Sequence, residues 1–396
     1  RRESPLLDGA SRWGGMEIRH LDTVVTRPGR NYVLVRAETA DGLVGWGDAT
    51  LNGREQAVAA ALDHHLAPEL EGRDAARIED IWQFLFRGTY WRGGPVLNSA
   101  LSGVDMALWD LKGKTTGAPV YDLLGGRTRE YATAYTHCGD DDIDAIVDDC
   151  EAAAERGFDH FRVNVGDPAG EYLNLDRVID GVSEVRERLG PDPELIVDIH
   201  GRATPREARR VANGLESADL YFLEDPLRPE NRDAFERLRA ATTAPLAMGE
   251  LFTNPWEMRP LIEDELVDFL RVDLSHVGGI TAARKLAAVA EHHYVETAFH
   301  GPPDLSPVGQ AASVHVDLAV PNFGVQEFTD HETVYGAPVT EVFSGGATLD
   351  ESVGGLDVPD EPGLGVDVDR EAARSYEYER SHLPTVRRED GSVADW

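Results

Sequence analysis

The sequence predicts an α/β protein in which an α+β unit precedes a closed barrel of eight parallel strands, the (β/α)8 arrangement. After residue 126, short apolar runs alternate with amphipathic helical stretches, a pattern that is typical of a parallel sheet. Eight such runs can be placed, and eight is the number of strands that a closed barrel requires. A doubly wound open sheet is the alternative, but no Gly-x-Gly-x-x-Gly follows an early strand and no phosphate loop is present.

The first part of the chain has the pattern of an α+β unit. Residues 31–48 predict a hairpin, since apolar residues alternate on either side of the turn residues Asp41 and Gly42. Helical periodicity follows over residues 54–66, 75–86 and 98–114. We therefore expect an extension at 1–15, an α+β domain at 16–126, a barrel at 127–357 and a C-terminal segment at 358–396.

The barrel strands are expected where the chain is locally apolar. The eight runs are residues 131–136, 160–165, 194–199, 220–223, 245–248, 269–272, 296–299 and 322–326.

The composition excludes several classes of protein. The formal net charge is −34, from 72 acidic and 38 basic residues, whereas nucleic-acid binding needs a basic surface. The acidic residues are spread along the chain and lysine is scarce, which suggests a solvated surface adapted to high salt and a halophilic source. No apolar run approaches the roughly 20 residues that span a bilayer. Two cysteines and no leader sequence indicate a reducing cytoplasm.

Polar residues stand at or near the end of every predicted barrel strand. From Asp198 to Glu327, one such residue occurs every 23 to 27 residues, which is about the length of one strand-helix unit. In a closed barrel these side chains would therefore converge on one mouth. That mouth is where barrel enzymes carry their active sites. The residues are His137, Arg162, Asn164, Asp198, His200, Glu224, Glu250, Asp273, His300 and Glu327.

Three successive strands end in the carboxylates Asp198, Glu224 and Glu250. Each alone could simply cap the next helix, which is a common role for an acid after a strand. Three carboxylates in one mouth repel one another, however, and a cation between them would relieve that repulsion. Ligands that are all oxygen favour Mg²⁺ over zinc.

Two imidazoles flank the predicted metal site. His200 lies two positions after Asp198, so both can face inward, and Asp273 ends the strand before the one that ends in His300. Either histidine could be purely structural. Together with the metal they suit removal of a proton next to a carboxylate, with Asp273 orienting His300, followed by loss of a hydroxyl.

Several motifs resemble one known group of enzymes, the mannonate and gluconate dehydratase-like subgroup of the enolase superfamily, related to mandelate racemase and muconate lactonizing enzyme. The resemblance covers residues 16–396 and implies a modified TIM-type barrel under an α+β capping domain, to which residues 358–396 return. It also implies that Mg²⁺ stabilises an ene-diolate. The motifs are Gly29-Arg30-Asn31, residues 47–55 (GDATLNGRE), 77–83 (RIEDIWQ), 105–110 (DMALWD) and 321–327 (PNFGVQE).

The resemblance also implies roles for single residues. Asp198, Glu224 and Glu250 would hold Mg²⁺, and His200 would protonate the leaving hydroxyl. The expected contacts to a sugar acid are Asn31, His137, Arg271, His300, Asp304 and Glu327, with Trp396 closing the site. Asn31 could instead be a turn residue, Arg271 an ion-pair partner within the barrel and Trp396 an ordinary tail anchor.

The sequence departs from this subgroup at the base. The subgroup pairs an arginine at the second strand with a tyrosine in a long following loop; Arg162 matches the arginine, but the segment to Asp198 is too short for that loop and Tyr172 is a weak substitute. Asp273 stands where a His-Asp pair of the mandelate racemase kind needs it. We therefore expect His300 with Asp273 as the base and Arg162 as an electrostatic helper.

The site residues predict removal of a proton and loss of a hydroxyl, and the resemblance implies the substrate: a hydro-lyase that converts an aldonate, mannonate or gluconate, into a 2-keto-3-deoxy sugar acid. A racemase or epimerase acting on a hydroxy acid is one alternative, and a regulatory protein that binds a sugar acid without turnover is another. A homo-oligomer is expected because related proteins usually assemble.

Overall fold

The structure is a computed structural model that describes residues 16–166, 172–301, 303–381 and 384–395. The predicted extension at 1–15 and the predicted site residue Trp396 lie outside the described residues.

An antiparallel three-stranded sheet opens the described chain. The strands are β1 (Ile18–Thr26), β2 (Tyr32–Thr39) and β3 (Val44–Asp48), and β2 pairs with both of its neighbours. The turn between β2 and β3 is the predicted one, with Gly42 at a positive φ of 87°. The sequence prediction missed β1, whose buried apolar residues Ile18, Leu21 and Val24 recur every three residues and so lack the strict alternation of a strand.

Helices follow and pack on one face of this sheet. They are α1 (Glu55–Ala61), continued by a π-helical turn (Leu62–Leu66), α2 (Ala67–Leu70), α3 (Ile78–Arg87), α4 (Pro95–Thr116) and α5 (Val120–Leu124). The long helix α4 lies directly against β3, where a Cβ atom at Gly47 would stand 1.9 Å from the carbonyl oxygen of Gly103. Only glycine permits this close approach of helix and strand.

Eight parallel strands form a closed barrel. From β4 (Ala132–Asp140) to β10 (Glu296–Thr297) each strand pairs with the next in chain order, and β11 (Gln326–Glu327) pairs back with β4. Backbone hydrogen bonds from Thr297 to Asn322 (2.7 Å) and from Gly324 to Thr297 (2.8 Å) join β10 to the segment before β11. The open-sheet alternative is therefore wrong. The strands are β4 (Ala132–Asp140), β5 (His160–Val165), β6 (Glu194–Asp198), β7 (Phe222–Glu224), β8 (Leu246–Met248), β9 (Phe269–Leu270), β10 (Glu296–Thr297) and β11 (Gln326–Glu327).

The last strands are shorter than the apolar runs predicted, yet the chain stays paired beyond them. Ala298 donates to the carbonyl of Leu270 (3.0 Å) and His300 to that of Val272 (3.3 Å). His300 is therefore held beside β9 although it lies beyond β10.

Helices surround the barrel. They are α6 (Ile143–Glu155), α7 (Leu175–Leu189), α8 (Pro205–Gly214), α9 (Arg232–Arg239), α10 (Pro255–Glu263), α11 (Leu274–Val277), α12 (Gly279–His292) and α13 (Pro307–Ala319), with a 3-10 turn at Glu216–Ala218.

Among the remaining elements, the strand Gly355–Asp357 pairs antiparallel with β4 of the barrel, whereas the last helix returns to the beginning of the described chain. Thr26 donates to the carbonyl of Ala373 (2.8 Å) and the backbone of Arg27 to that of Tyr376 (3.0 Å), so the last helix packs on β1. The elements are α14 (His331–Tyr335), α15 (Ala337–Val342), β12 (Phe343–Gly345), β13 (Thr348–Asp350), β14 (Gly355–Asp357), β15 (Val366–Val368) and α16 (Arg370–Ser375).

The barrel interior is filled by one layer of mainly large apolar side chains from nearly every strand. The layer contains Tyr135, Ile196, Phe222, Ala247, Phe269, Ala298 and Val325. A packed interior leaves the mouth as the place for chemistry.

No helix among the described residues is both long and apolar enough to cross a membrane.

Candidate active site

The three predicted metal ligands share one side of the barrel mouth. Asp198 and Glu224 end the neighbouring strands β6 and β7 and are directly paired in register. Glu250 lies two residues beyond the end of β8. Asp198 and Glu224 are buried, and the side chain of Glu250 is 15% exposed.

These carboxylates are crowded and poorly solvated. Burial raises the pKa of Glu250 well above its usual range, and repulsion from Asp225, Asp198 and Glu224 adds to the shift. Burial also raises the pKa of Glu224, although Arg271 opposes it. Against the effect of burial, His200 and Arg162 lower the pKa of Asp198. The cluster therefore favours a positive charge at its centre.

The donor atoms suit a hard divalent cation. Oε2 of Glu224 is buried without a hydrogen-bond partner, as are both oxygens of Asp225, whereas Oδ2 of Asp198 faces His200 at 2.9 Å and Arg162 at 3.2 Å. Among the described residues, no three acidic, histidine or cysteine side chains already surround a common point. Two of the predicted ligands instead contact other side chains: Glu224 accepts from Arg271 at 2.5 Å, and Glu250 lies 3.1 Å from His300. Buried, unpartnered carboxylate oxygens are the ligands that Mg²⁺ prefers.

His200 sits in a strained turn directly after β6. Its φ is 51°, in the left-handed region that a side chain rarely adopts, and its backbone N–H donates to Oδ1 of Asp198 at 2.7 Å. This turn brings Nε2 of His200 to 2.9 Å from Oδ2 of Asp198 and 3.4 Å from the guanidinium of Arg162. The predicted acid is thus beside a predicted metal ligand.

His300 and Asp273 form the predicted pair. Nδ1 of His300 lies 2.7 Å from Oδ2 of Asp273, and Oδ1 of that carboxylate accepts from the backbone and the hydroxyl of Ser275, each at 2.6 Å. Burial would raise the pKa of Asp273, but His276, His300 and Ser275 together lower it to about 2. A carboxylate that stays ionised fixes the proton on Nδ1 of His300 and leaves Nε2 as the basic nitrogen.

Glu327 connects the basic residues of the mouth. Its fully buried carboxylate lies 2.7 Å from His137, 3.3 Å from Arg162 and 2.8 Å from Arg271, and it accepts from the backbone of Gly301 at 3.0 Å. The single carboxylate therefore holds three predicted site residues in place.

A cavity of about 1080 Å³ opens over this cluster. His200, Glu250, His300 and Asp304 line it from the barrel, and Arg30 and Asn52 line it from the first part of the chain. Ala394 and Asp395 of the C-terminal segment also reach its wall, next to the predicted closing residue. The volume is ample for a six-carbon sugar acid.

Two predicted site residues, Asn31 and Arg271, do not line the cavity, and neither does Tyr172, the weak substitute for the subgroup's tyrosine. The amide of Asn31 donates to the carbonyl of Glu379 (2.7 Å) and the hydroxyl of Ser381 (3.2 Å), so its side chain holds the C-terminal segment. Arg271 is fully buried beneath the cavity and pairs with Glu224 and Glu327, as in the ion-pair alternative. Tyr172 donates to Glu207 of helix α8 at 3.1 Å.

The chain matches two family models over most of its length. One is described as Enolase C-terminal domain-like and matches residues 145–372. The other is the mandelate racemase / muconate lactonizing enzyme N-terminal domain and matches residues 19–125. The chain belongs to the enolase superfamily.

Members of this superfamily with named activities are similar to the whole chain. A D-galactonate dehydratase family member of Streptomyces bingchenggensis is 45% identical, over 95% of this chain and 97% of that protein. A D-mannonate dehydratase of Caulobacter vibrioides is 42% identical, over 96% of this chain and 100% of that protein. The crystal structure of an enolase from Pantoea ananatis with bound D-gluconate and Mg has a TM-score of 0.90 and 39% identity, covering 96% and 99% of the two chains.

Sequence reasoning missed several residues of this superfamily member's site. Asp225 is buried beside the ligands, and burial together with repulsion from Asp198 raises its pKa to about 8. His276, Arg30 and Asn52 line the cavity. Arg30 and Asn52 lie within motifs that carried the resemblance, and His276 follows Asp273 by one helical turn, so a signal was present for all three.

Proposed function

We propose that this protein is a Mg²⁺-dependent dehydratase, a hydro-lyase that converts an aldonate into a 2-keto-3-deoxy sugar acid. The observation that carries the proposal is the placing of two imidazoles, His200 and His300, in one cavity on either side of a buried carboxylate cluster. The dehydratase relatives and the gluconate and Mg bound in the similar crystal structure support it.

His300 is the proposed base. With Nδ1 bonded to Asp273, its Nε2 takes the proton from the carbon next to the substrate carboxylate. Negative charge then develops on that carboxylate, and the guanidinium of Arg162, fixed by Glu327 at 3.3 Å and Asp198 at 3.2 Å, contributes positive charge to the mouth.

His200 is the proposed acid. It gives a proton to the hydroxyl on the neighbouring carbon, the carbon–oxygen bond breaks, and water leaves as the electrons of the broken C–H bond form the enol. The enol then becomes the 2-keto acid by tautomerisation. Oδ2 of Asp198, 2.9 Å from Nε2 of His200, holds the imidazole beside the proposed metal ligands.

Asp198, Glu224 and Glu250 are the residues that would hold the ion. When bound there, Mg²⁺ supplies Lewis-acid stabilisation of the charge that develops on the substrate carboxylate, worth several kcal/mol.

The distal part of the cavity suits a neutral polyhydroxyl chain. Arg30 is ion-paired with Asp304, and the side-chain amide of Asn52 lies 3.5 Å from the same carboxylate. These three side chains offer the substrate both donors and acceptors, and the charges of Arg30 and Asp304 balance each other. Hydroxyl groups can bond to both kinds of atom. We therefore propose mannonate or gluconate as the substrate, with His137, Glu327 and Trp396 as further proposed contributors to its binding. Arg271 and Asn31 contribute indirectly, by holding Glu327 and the C-terminal segment.

A panel of aldonates tests the function. The protein, supplied with Mg²⁺ and molar KCl, should form a keto acid that semicarbazide detects, and chelation of the metal should stop the reaction. Inverted substrate without keto acid would instead favour the racemase, and binding without turnover would favour the regulatory protein. The racemase is less well supported, because the end of strand β5, with the sequence Arg162-Val163-Asn164, offers no lysine as a second base.

We also propose a homo-oligomer in the cytoplasm. Tyr90 and Trp91 are 87% and 81% exposed on one loop, next to the basic side chains Arg87 and Arg92, and an acidic second copy is a complementary partner for this basic and aromatic surface. Light scattering of the wild type and of a Tyr90→Ser/Trp91→Ser variant tests the assembly. The two cysteines are free thiols, as suits a reducing compartment.

A further inference from the structure

His276 connects the proposed base to the first part of the chain. Asp273 caps helix α11, and His276 stands three residues later on the same face of that short helix. Nδ1 of His276 lies 3.6 Å from Oδ2 of Asp273, and Nε2 lies 3.1 Å from the backbone carbonyl of Thr50. One imidazole thus reaches both the base pair and the segment after β3.

The position of the protons on His276 follows from its partners. A carbonyl oxygen can only accept, so Nε2 carries a proton and donates it to Thr50. Nδ1 then faces the carboxylate oxygen of Asp273 that also accepts from His300 at 2.7 Å. At 3.6 Å Nδ1 is too far away for a hydrogen bond, so this edge of the His276 ring packs against the oxygen that His300 binds and limits the space in which it can rotate.

The segment that contains Asp273 and His276 is held from outside the barrel. Trp82 donates to the carbonyl of Gly278 (2.8 Å), and the backbone of Thr281 donates to Asp105 (2.9 Å). Trp109 donates to the hydroxyl of Thr281 (2.9 Å). At the end of the segment nearest the cavity, His276 donates to the carbonyl of Thr50 at 3.1 Å, and the hydroxyl of Ser275 donates to the same oxygen at the longer distance of 3.5 Å.

Thr50 leads directly into the wall of the substrate cavity. The two residues that follow it, Leu51 and Asn52, line that cavity together with His276 itself. A bond that fixes Thr50 therefore also fixes part of the wall that contacts the substrate.

We propose that His276 is a positioning residue that ties the loop of residues 50–52 to the Asp273–His300 pair, so that the substrate wall and the base keep one relative geometry. This inference rests on the proposed function of the same site. It assigns two separable tasks to one side chain: Nε2 holds the wall through a hydrogen bond, and the Nδ1 edge of the ring holds the base by packing against Asp273.

Two amide variants separate the tasks. The amide nitrogen of glutamine stands near the position of Nε2, so His276→Gln should keep the bond to Thr50 and lose the contact with Asp273. The amide nitrogen of asparagine stands near Nδ1, so His276→Asn should do the reverse. We expect kcat to fall about tenfold in the glutamine variant with KM little changed, since a placed base contributes about 10² to 10⁴ and is only disoriented here. In the asparagine variant we expect KM to rise about tenfold with kcat little changed.

Hydrogen–deuterium exchange of a peptide covering residues 49–55 provides a readout that needs no substrate. Exchange should be faster in His276→Asn and as slow as in the wild type in His276→Gln. His292→Gln, an exposed position on helix α12, is the control that should change nothing.

The outcomes are distinguishable. If both variants lower kcat and raise KM alike, or if neither alters the exchange, His276 is only a packing residue and the inference fails. If the wild type turns over no sugar acid, the proposed function fails, and the exchange pattern still decides whether His276 ties residues 50–52 to the barrel.

Discussion

The charged side chains at the barrel mouth are buried close together and depend on one another as ion-pair partners. Arg271 is fully buried and bonds to both Glu224 and Glu327. Removing one partner from such a group leaves the others as uncompensated buried charges, which is costly. Substitutions here must therefore preserve shape and hydrogen bonding if a loss of activity is to be separated from a loss of folding.

Glu224→Gln should abolish metal-dependent turnover and leave the fold intact. The amide oxygen can still accept from Arg271, whereas the negative charge that would hold the ion is lost. Calorimetric titration with Mg²⁺, turnover and circular dichroism measure the three effects. Glu187→Gln, at an exposed site, should behave as the wild type. Retained activity in Glu224→Gln would place the metal site elsewhere.

His300→Asn should stop exchange of the substrate's α-proton with deuterium from the solvent. The asparagine can still bond to Asp273 through its amide but has no basic nitrogen. Magnetic resonance of substrate recovered from D₂O measures the exchange. Persistent exchange in this variant would identify another base, and the comparison with Asp273→Asn, which keeps the imidazole but disorients it, shows how much the orientation contributes.

At the scale of elements, the site is held where helix α4 meets helix α12. Asp105 of α4 accepts from the first turn of α12 through Oδ2, and its Oδ1 is buried without a partner. Burial raises the pKa of Asp105 from its usual value to about 7. The folded protein thus binds a proton at Asp105 more tightly than the unfolded chain does.

Asp105→Asn should remove a pH dependence of stability. With a folded pKa above the unfolded one, the contribution of Asp105 is fully present below about pH 4 and is lost as the pH rises to about 7 and beyond. The free energy of unfolding of the wild type should therefore fall relative to that of the variant across this window, by on the order of a few kcal/mol. Denaturation in urea at several pH values measures it, and a constant difference between the two proteins would contradict the assignment.

At the scale of the whole molecule, the net charge of −34 acts on stability and not on chemistry. Repulsion between exposed carboxylates destabilises the compact state, and its range shrinks from about 10 Å at 0.1 M salt to about 3 Å at 1 M. The molecule is thus expected to need salt to reach its full stability.

Raising KCl from 0.1 M to 2 M should raise the melting temperature by several degrees, since screening removes self-repulsion. Calorimetry measures the shift. A variant with lysine at the exposed positions Asp148, Asp149 and Glu151 of helix α6 should need less salt for the same melting temperature. A melting temperature that does not depend on KCl would show that repulsion is negligible.

Local patterns in the sequence were enough to predict the parallel strands and the polar residue that follows each of them. Strands and their neighbours are decided by the alternation of apolar and polar side chains over a few residues. Asp198, Glu224, Asp273 and His300 were predicted in this way, and the domain boundaries at 126 and 357 stay predictions.

Contacts between distant parts of the chain were decided only by the tertiary structure. Asn31 bonds to Glu379, and His276 to Thr50, and no local pattern records either bond. Closure of the barrel likewise depends on β11 meeting β4 across the whole length of the sheet. The physical reason is the same in each case: side-chain type and spacing determine which element forms, whereas the partner of a buried polar group is determined by the packing of elements far apart in the chain.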